Sequence, residues 1–457
     1  MFIGQGYVYG LHGLRLWGVP NYYLSSHDMS FIHKKTHIAP ATDRTFIPEQ
    51  FHADPPADPG SLLAQWTMEN GEPVVSVGIM TCGKVDVTFN GSYLNTVTGE
   101  RYDMQSVTFS DTEAVIIPLA ESSSFIVGNV TIGVGFHWER RENQAFRGAL
   151  VLKRDGGNMI VINRLRVENY LQSVISSEMS ANAGIELLKA HAIMSRSWLL
   201  RINNATEPTA TESSEEHIKW YERDAHTHFD VCADDHCQRY QGITRIVNEN
   251  AYRAVDETRG MVLTYKDEIC DARFSKCCGG MTERFSTAWA DRDYDYLQPV
   301  ECPYCDTHDE NALRQILNDY DRETVHFHDW TVEYTDEEVS ELVKRRSGID
   351  FGEIKDIIPL KRGASGRIFR LRIVGGKCQT EVGKELEIRK WLSETHLYSS
   401  NFTVEHKAGR FILRGKGWGH GVGLCQIGAA VMATQGFTAE EILEHYFPHS
   451  EITKLYE

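Results

Sequence analysis

The sequence lacks several features that would assign it to a common class of protein. None of its 457 residues falls in a run of about 20 apolar residues, so no transmembrane helix is predicted. The opening residues, MFIGQGYVYGLHGLRLWG, contain no basic segment followed by an apolar one, so we read no signal peptide in the chain. Its 47 Lys and Arg against 64 Asp and Glu give a net charge of −17. Since nucleic acids and anionic membranes bind through clustered cations, neither is expected to be the main partner.

The chain does contain enough apolar residues for a large core. Hydrophobic residues make up 41% of it, and its length predicts roughly two to four domains. A PPADPG break indicates a linker and sets off residues 1–72 as an N-terminal extension of unknown role. We expect a β-rich segment over 73–165 and a core over 166–457, with a low-complexity loop inserted at 203–217.

Hydrophobic periodicity predicts the elements of these segments. From Pro73, apolar and polar residues alternate between Gly and Asn-Gly turns, which is typical of antiparallel strands. Apolar residues three and four apart then predict two successive helices, at 167–181 and 185–202. Thr438 followed by Glu441 predicts a capping box at the start of a last helix. We therefore predict an α+β fold, with an antiparallel β-rich N-terminal part, a helix pair and a Gly-rich C-terminal loop.

That Gly-rich loop, RGKGWGHGVGLCQIGAA at 414–430, departs furthest from ordinary composition. Its six glycines cost chain entropy and are useful where the backbone must approach something closely or take positive φ. With Trp418, His420 and Gln426, it is suited to holding a flat polar ligand. His420 is alternatively a structural imidazole bonded to the loop, or a partner for a nucleophilic Cys425.

Glu178 lies on the apolar stripe of the first predicted helix, three and four residues after Ile175 and Val174. A carboxylate there either meets solvent at a frayed helix end or is desolvated. Because desolvation raises a carboxyl pKa, a buried Glu178 would be a usable general acid near neutral pH.

Seven of the ten cysteines form three clusters, which is typical of metal sites or disulfides. His226, Cys232 and Cys237 have a spacing suited to tetrahedral zinc, and a Cys232–Cys237 disulfide is the alternative. Cys302 and Cys305 form half of a zinc-ribbon pattern. The pair Cys277 and Cys278 could supply the other half only if the fold brings it close, and disulfides are again the alternative.

Several of these segments resemble the stage II sporulation protein D (SpoIID) family and its amidase-enhancer relatives. VENYLQSVISSEM and IELLKAHAIMSRSWLL, at 167–179 and 185–200, resemble the helix pair of the family. FSKCCGGMTE at 274–283 resembles its S-x-S-G-G-x-T-E loop, and GKGWGHGVGLCQIGA at 415–429 resembles its GRGWGHGVGMSQYGA signature. The similarity runs from about Pro73 to the C-terminus. It departs from the family where cysteines replace small polar residues before Gly-Gly.

The resemblance implies a peptidoglycan lytic transglycosylase acting on peptide-free glycan. Glu178 would be the catalytic residue, cleaving between N-acetylmuramic acid and N-acetylglucosamine and leaving a 1,6-anhydro end. The implied glycan-binding residues are Ser275, Gly279, Gly280, Glu283, Trp418, His420 and Gln426. An alternative is a non-catalytic glycan-binding regulator that enhances a cell-wall amidase.

The resemblance also implies a cofactor and a location. Some members bind a zinc ion, expected to be structural, through His, Cys and Cys ahead of a CQ-x-Y motif. Because the chain reads CQRY from Cys237 to Tyr240, the matching ligands are His226, Cys232 and Cys237. The implied location is extracytoplasmic, in the cell wall or periplasm, with glycan strands and a cell-wall amidase as partners.

Overall fold

A computed structural model describes residues 59–133, 139–180, 182–202, 217–221, 226–234, 236–309, 313 and 327–457. All of them belong to one compact unit, Ile47–Glu457. Most of the predicted N-terminal extension and nearly all of the loop at 203–217 lie outside the described residues. No helix among the described residues is both long enough and apolar enough to cross a membrane.

The described residues contain helices and strands in the order expected of an α+β protein. The strands are β1 (Met68–Glu69), β2 (Glu72–Cys82), β3 (Lys84–Asn90), β4 (Ser92–Asn95), β5 (Arg101–Asp103), β6 (Ser106–Ser110), β7 (Ala114–Pro118), β8 (Ser124–Ile132), β9 (Arg140–Arg147), β10 (Ala149–Asp155), β11 (Asn158–Arg166), β12 (His217–Ile218), β13 (Val231–Cys232), β14 (Met261–Tyr265), β15 (Glu268–Ile269), β16 (Phe274–Ser275), β17 (Asp329–Thr335), β18 (Ile354–Arg362), β19 (Ile368–Gly375), β20 (Gln379–Gly383), β21 (Phe402–Lys407), β22 (Arg410–Lys416), β23 (Leu424–Cys425) and β24 (Glu451–Lys454). The α-helices are α1 (Pro59–Leu62), α2 (Val167–Glu178), α3 (Ile185–Ile202), α4 (Glu249–Glu257), α5 (Phe285–Ala288), α6 (Asp336–Ser347), α7 (Glu385–Trp391), α8 (Gln426–Thr434) and α9 (Ala439–Tyr446).

The predicted β-rich segment forms two sheets. One runs β1-β2-β11-β10-β7-β4-β5, with β13 added in parallel on β2, and the other runs β6-β3-β8-β9. The alternation predicts this arrangement because every second side chain of strands such as β3 and β8 is buried. The hairpin of β10 and β11 turns at Gly156 and Gly157, both at positive φ, as the Asp-Gly-Gly sequence predicts.

The helix pair follows β11 directly. The second helix, α3, has the predicted bounds. The first, α2, ends at Glu178, three residues earlier than predicted, because Met179 is extended at φ −124° and ψ 177°. Eleven of the twelve residues of α2 are buried, so Glu178 closes a helix that is surrounded by protein.

A buried ion pair links α2 to α3. The Arg196 guanidinium donates to both carboxylate oxygens of Glu168 over 2.9 and 2.6 Å, and neither side chain is more than 3% exposed. Glu168 also accepts from the Tyr456 hydroxyl at 2.7 Å and the Gly260 amide at 3.2 Å. This network therefore fastens the helix that ends in Glu178 to the C-terminal end of the chain.

Buried hydrophobic residues of the range predicted as one core, 166–457, are divided between two clusters in the part of the chain that the structure describes. The larger contains α2, α3 and the β-rich segment, whereas the smaller contains buried residues between Trp330 and Leu413. The smaller cluster joins the sheet β17-β22-β21 to β18, β19 and β20, with α6 and α7 packed alongside. Along the sequence, the residues of this smaller cluster therefore lie between the pair Cys302 and Cys305 and the Gly-rich loop.

Candidate active site and metal centre

A cleft of about 320 Å³ lies at the C-terminal end of α2. Five of the predicted catalytic and glycan-binding residues line it: Glu178, Ser275, Trp418, His420 and Gln426. They come from three distant parts of the chain, which the structure brings together. The cleft is the candidate active site.

Glu178 is buried at the cleft, with 8% of its surface exposed. The interpretation of an exposed carboxylate at a frayed helix end is therefore wrong. Its Oε1 accepts a hydrogen bond of 2.8 Å from the backbone amide of Arg239. Among the described residues that line the cleft, Glu178 is the only carboxylate.

The segment that presents the Arg239 amide is held on both sides. Gln238, fully buried, accepts from the Tyr170 hydroxyl at 3.1 Å and donates to the Ser195 carbonyl at 3.4 Å. The Tyr240 hydroxyl donates to Asn163 Oδ1, and its ring stacks on Tyr170. These contacts fix the backbone amide that orients the Glu178 carboxyl group.

The Ser275 loop and the Gly-rich loop are joined by backbone hydrogen bonds. Strand β16 pairs in parallel with β23, and Cys277 exchanges two backbone bonds with Trp418, of 3.1 and 2.8 Å. A side chain added at Gly421 would meet the Arg367 guanidinium at 2.4 Å. Arg367 is fully buried and donates to the carbonyls of Cys278 and Gly419. At Gly421, then, the glycine makes room for a supporting arginine.

His420 packs within this junction and has one edge on the cleft. Its Nδ1 accepts from the Val422 amide at 3.0 Å, and its ring lies edge-on to Trp289 at 4.8 Å. Burial, together with the positive charges of Arg273 and Arg367, holds the pKa of His420 well below its ordinary value. The ring is therefore neutral, with its proton on Nε2. This arrangement is the one expected if His420 is a structural imidazole bonded to the loop.

Ser275 and Gln426 contribute buried polar groups to the cleft. Ser275 is buried, and its hydroxyl has no hydrogen-bond partner among the described residues. The Gln426 amide lies 3.4 Å from His191 Nε2. A buried hydroxyl without a partner is costly, so Ser275 is ready to bond a group that enters the cleft.

Three predicted glycan-binding residues are not part of the cleft lining. Glu283 is fully buried and accepts from the amides of Ala364 and Ser365 at 2.9 and 3.0 Å, which closes the turn between β18 and β19. Gly279 packs against the backbone of Gly417, and Gly280 donates to a buried sulfur. The structure thus gives all three a supporting position behind the cleft.

Cys425, considered as a nucleophile, is also enclosed. It has no exposed surface and does not line the cleft. Its sulfur accepts from the Gly428 amide at the start of α8. A nucleophilic role for Cys425 therefore has no support in the structure.

Cationic and aromatic residues that the sequence analysis missed complete the cleft. Its wall includes Arg239, Arg273, Lys276 and Arg389, and Trp289 adds an aromatic face. Arg273 is paired with Asp271 at 2.8 Å and lies 4.1 Å above the Trp289 ring. Only the fold brings these residues together, since they are single residues with no local pattern.

Beside Glu178, the predicted metal ligands His226, Cys232 and Cys237 converge with His236. One ligand atom from each lies within 4.8 Å of the others, with His226 Nε2 3.3 Å and His236 Nδ1 3.6 Å from Cys237 Sγ. Tetrahedral zinc with bonds of about 2.0–2.3 Å separates its ligands by about 3.3–3.8 Å, so these donors fit that ion. His236 is not among the ligands predicted from the sequence, and the structure adds it to the group. All ten cysteines are free thiols, so the alternative Cys232–Cys237 disulfide is not formed.

Comparison with known proteins confirms the resemblance. Residues 155–265 match the family model described as Stage II sporulation protein, and residues 283–423 match a domain of unknown function (DUF8618). The chain is 28% identical to an uncharacterized protein of Brachyspira hyodysenteriae, over 66% of this chain and 70% of that one. It is 25% identical to Stage II sporulation protein D of Bacillus amyloliquefaciens, over 64% and 76%. Its identity to the amidase enhancer of Bacillus subtilis is 24%, over 62% of this chain but only 40% of that protein.

Proposed function

We propose that the chain is a peptidoglycan lytic transglycosylase that cleaves glycan between N-acetylmuramic acid and N-acetylglucosamine. The observation that carries the proposal is Glu178, a buried carboxylate held by the Arg239 amide and the one carboxylate among the described residues that line the cleft. The relatives named Stage II sporulation protein D and amidase enhancer support a cell-wall function, and with it an extracytoplasmic location.

One carboxylate is sufficient for this reaction. Glycoside hydrolases generally need a pair, because a second carboxylate activates water or attacks the sugar. In a lytic transglycosylase the muramyl 6-hydroxyl is the nucleophile. Protonated Glu178 would donate to the glycosidic oxygen. It would then take the proton of the 6-hydroxyl as that oxygen bonds to the anomeric carbon, closing a 1,6-anhydro ring.

The cationic wall favours peptide-free glycan as substrate. Removing a stem peptide leaves each muramyl lactyl group as a free carboxylate. Arg239 and Lys276 supply positive charge along the cleft, and Trp289 and Trp418 supply faces for sugar rings.

We expect sacculi pretreated with an amidase to be cleaved faster than intact sacculi, by about 10-fold or more, since one lost charged contact is worth about 1.5–3 kcal/mol. Chromatography of the released fragments measures this. Equal rates on the two substrates would contradict the assignment of peptide-free glycan.

We also propose that His226, Cys232, His236 and Cys237 hold a structural zinc ion. Cys237 immediately precedes Gln238 and Arg239, so an ordered loop there would fix the amide that orients Glu178.

We expect Cys237→Ser to lose one zinc per chain and to lower cleavage by about 10- to 100-fold, as weakening a supporting shell does. Metal analysis and the fragment assay measure this, with Cys82→Ser as a control that keeps both. Full activity in a zinc-depleted Cys237→Ser protein would rule out this role.

The runner-up is a non-catalytic glycan-binding regulator that enhances a cell-wall amidase, as the name of the Bacillus subtilis relative suggests. This alternative needs the cleft but not the carboxyl proton. If Glu178→Gln still binds glycan and stimulates amidase to the full extent, while the wild-type protein releases no fragments by itself, the regulator is favoured over the enzyme.

A further inference from the structure

We propose that Cys278, Cys302, Cys305 and Cys425 bind one tetrahedral zinc ion, at a second metal site behind the cleft. The proposal rests on the geometry of the four sulfurs and is independent of glycan cleavage. It goes beyond the His226 centre, with which it shares no residue.

The four thiols form a closed, dry cluster. Their sulfur atoms all lie within 4.8 Å of one another, and the Cys278–Cys305 separation is 3.6 Å. None of the four residues is more than 2% exposed. A zinc ion with bonds of about 2.3 Å places its sulfurs about 3.8 Å apart, so the cluster fits a single tetrahedral ion. An iron–sulfur cluster would need wider separations, because several iron and sulfide atoms lie between its thiolates.

Hydrogen-bond donors surround the sulfurs. Backbone amides of Cys278 and Gly428 point at Cys425 Sγ over 3.3 and 3.4 Å, and the Gly280 amide points at Cys305 Sγ over 3.2 Å. The Tyr446 hydroxyl lies 3.1 Å from Cys302 Sγ. Four thiolates around a divalent ion carry a net charge of −2, and donors in these positions stabilise that charge in a buried place. Cys425 also caps α8, so the positive end of that helix adds to them.

The ligand set differs from the one the sequence indicates. Cys302 and Cys305 form one half of a ribbon-like pair, with Cys277 and Cys278 as the candidates for the other half. In the structure the sulfurs that converge on Cys302 and Cys305 to within 4.8 Å are those of Cys278 and the distant Cys425. The Cys277 side chain is buried and contacts those of Cys305 and Cys425, but its sulfur is not within 4.8 Å of all the others and so lies outside the set of four.

The site would clamp together the segments that form the cleft floor. Cys425 immediately precedes Gln426, and Cys278 follows Ser275 by three residues. The Cys302–Cys305 turn is bonded to the Gly-Gly segment through the Cys302 amide and the Gly280 carbonyl at 2.9 Å. An ion held by all three segments would therefore fix Ser275 and Gln426 relative to each other. Structural zinc sites of this closed type add to folding stability directly.

The test counts zinc in a background where the first site has been removed. The full-length chain with Cys232→Ser and Cys237→Ser should retain one zinc per chain after dialysis. Adding Cys425→Ser should lower this to none, whereas adding Cys277→Ser, the matched buried control, should leave one. If Cys277→Ser loses the ion and Cys425→Ser keeps it, the ligand assignment is overturned. No zinc in the double-variant background overturns the site itself.

A second measurement does not depend on whether Cys425→Ser folds. The double-variant chain, loaded with Co²⁺, should show the strong sulfur-to-metal charge-transfer absorption of a tetrathiolate, and X-ray absorption of its zinc form should report four sulfur neighbours and no nitrogen. A first shell with nitrogen or oxygen, or iron bound in place of zinc, would contradict the proposal.

Discussion

Glu178→Gln should lower the release of glycan fragments from sacculi by about 10³-fold, within the range that a general acid contributes. Glutamine has nearly the same shape, and its amide oxygen can still accept from the Arg239 amide, so the fold of the cleft should be kept. What is lost is the proton that would be given to the glycosidic oxygen and taken back from the muramyl hydroxyl. Chromatography of soluble fragments against time measures the loss.

The matched control is Glu440→Gln, an equivalent change at an exposed glutamate of α9. It should retain wild-type release. Unfolding curves of both variants should coincide with that of the wild type, which separates a chemical effect from a folding effect. Equal release by Glu178→Gln and wild type would refute the catalytic role of Glu178.

Arg196→Met should be the most damaging single change to stability, at about 3–5 kcal/mol, because it leaves the Glu168 carboxylate buried without its cation. The Gly260 amide and the Tyr456 hydroxyl would remain as its partners, but neither supplies a charge. Urea unfolding followed by fluorescence measures the change in the free energy of unfolding.

A pair with an exposed cation provides the comparison for this prediction. Arg253→Met removes an exposed guanidinium from Glu257 of α4, which keeps Lys189 as a second partner at 2.7 Å, and we expect a loss of no more than about 0.5 kcal/mol. The double variant Glu168→Leu with Arg196→Met should recover much of this lost free energy of unfolding, because no buried charge is then left unpaired. Equal effects of Arg196→Met and Arg253→Met would show that the buried pair does not support the helix.

Much of the fold can be predicted from local patterns. The bounds of α3 follow from apolar spacing alone, and the capping box of Thr438 and Glu441 is present as the sequence predicts. The sequence predicts too late an end for α2, because nothing in residues 180–182 marks the extended backbone of Met179. Local periodicity determines where a helix can form, whereas the packing around Glu178 determines where this one stops.

The site was only partly predictable, for a different reason. Glu178 could be found because a carboxylate on an apolar stripe is conspicuous. Glu283 lies in a loop that resembles a family motif, but its carboxylate closes a turn, and the motif does not reveal that role. Cys425 reaches Cys278 across more than a hundred residues of sequence. Arg273 pairs with its near neighbour Asp271. Residue spacing reveals neither contact. Roles that depend on tertiary contacts need the structure.

The central claim is that Glu178 works alone and that the nucleophile belongs to the substrate. Cleavage of purified peptide-free glycan in H₂¹⁸O, with mass spectrometry of the products, tests it most directly. The account predicts muramyl ends that are lighter by one water than a reducing end and that contain no ¹⁸O. The Glu178→Gln variant should release almost none of these ends. Reducing ends that carry ¹⁸O would mean that water is the nucleophile, and would contradict it.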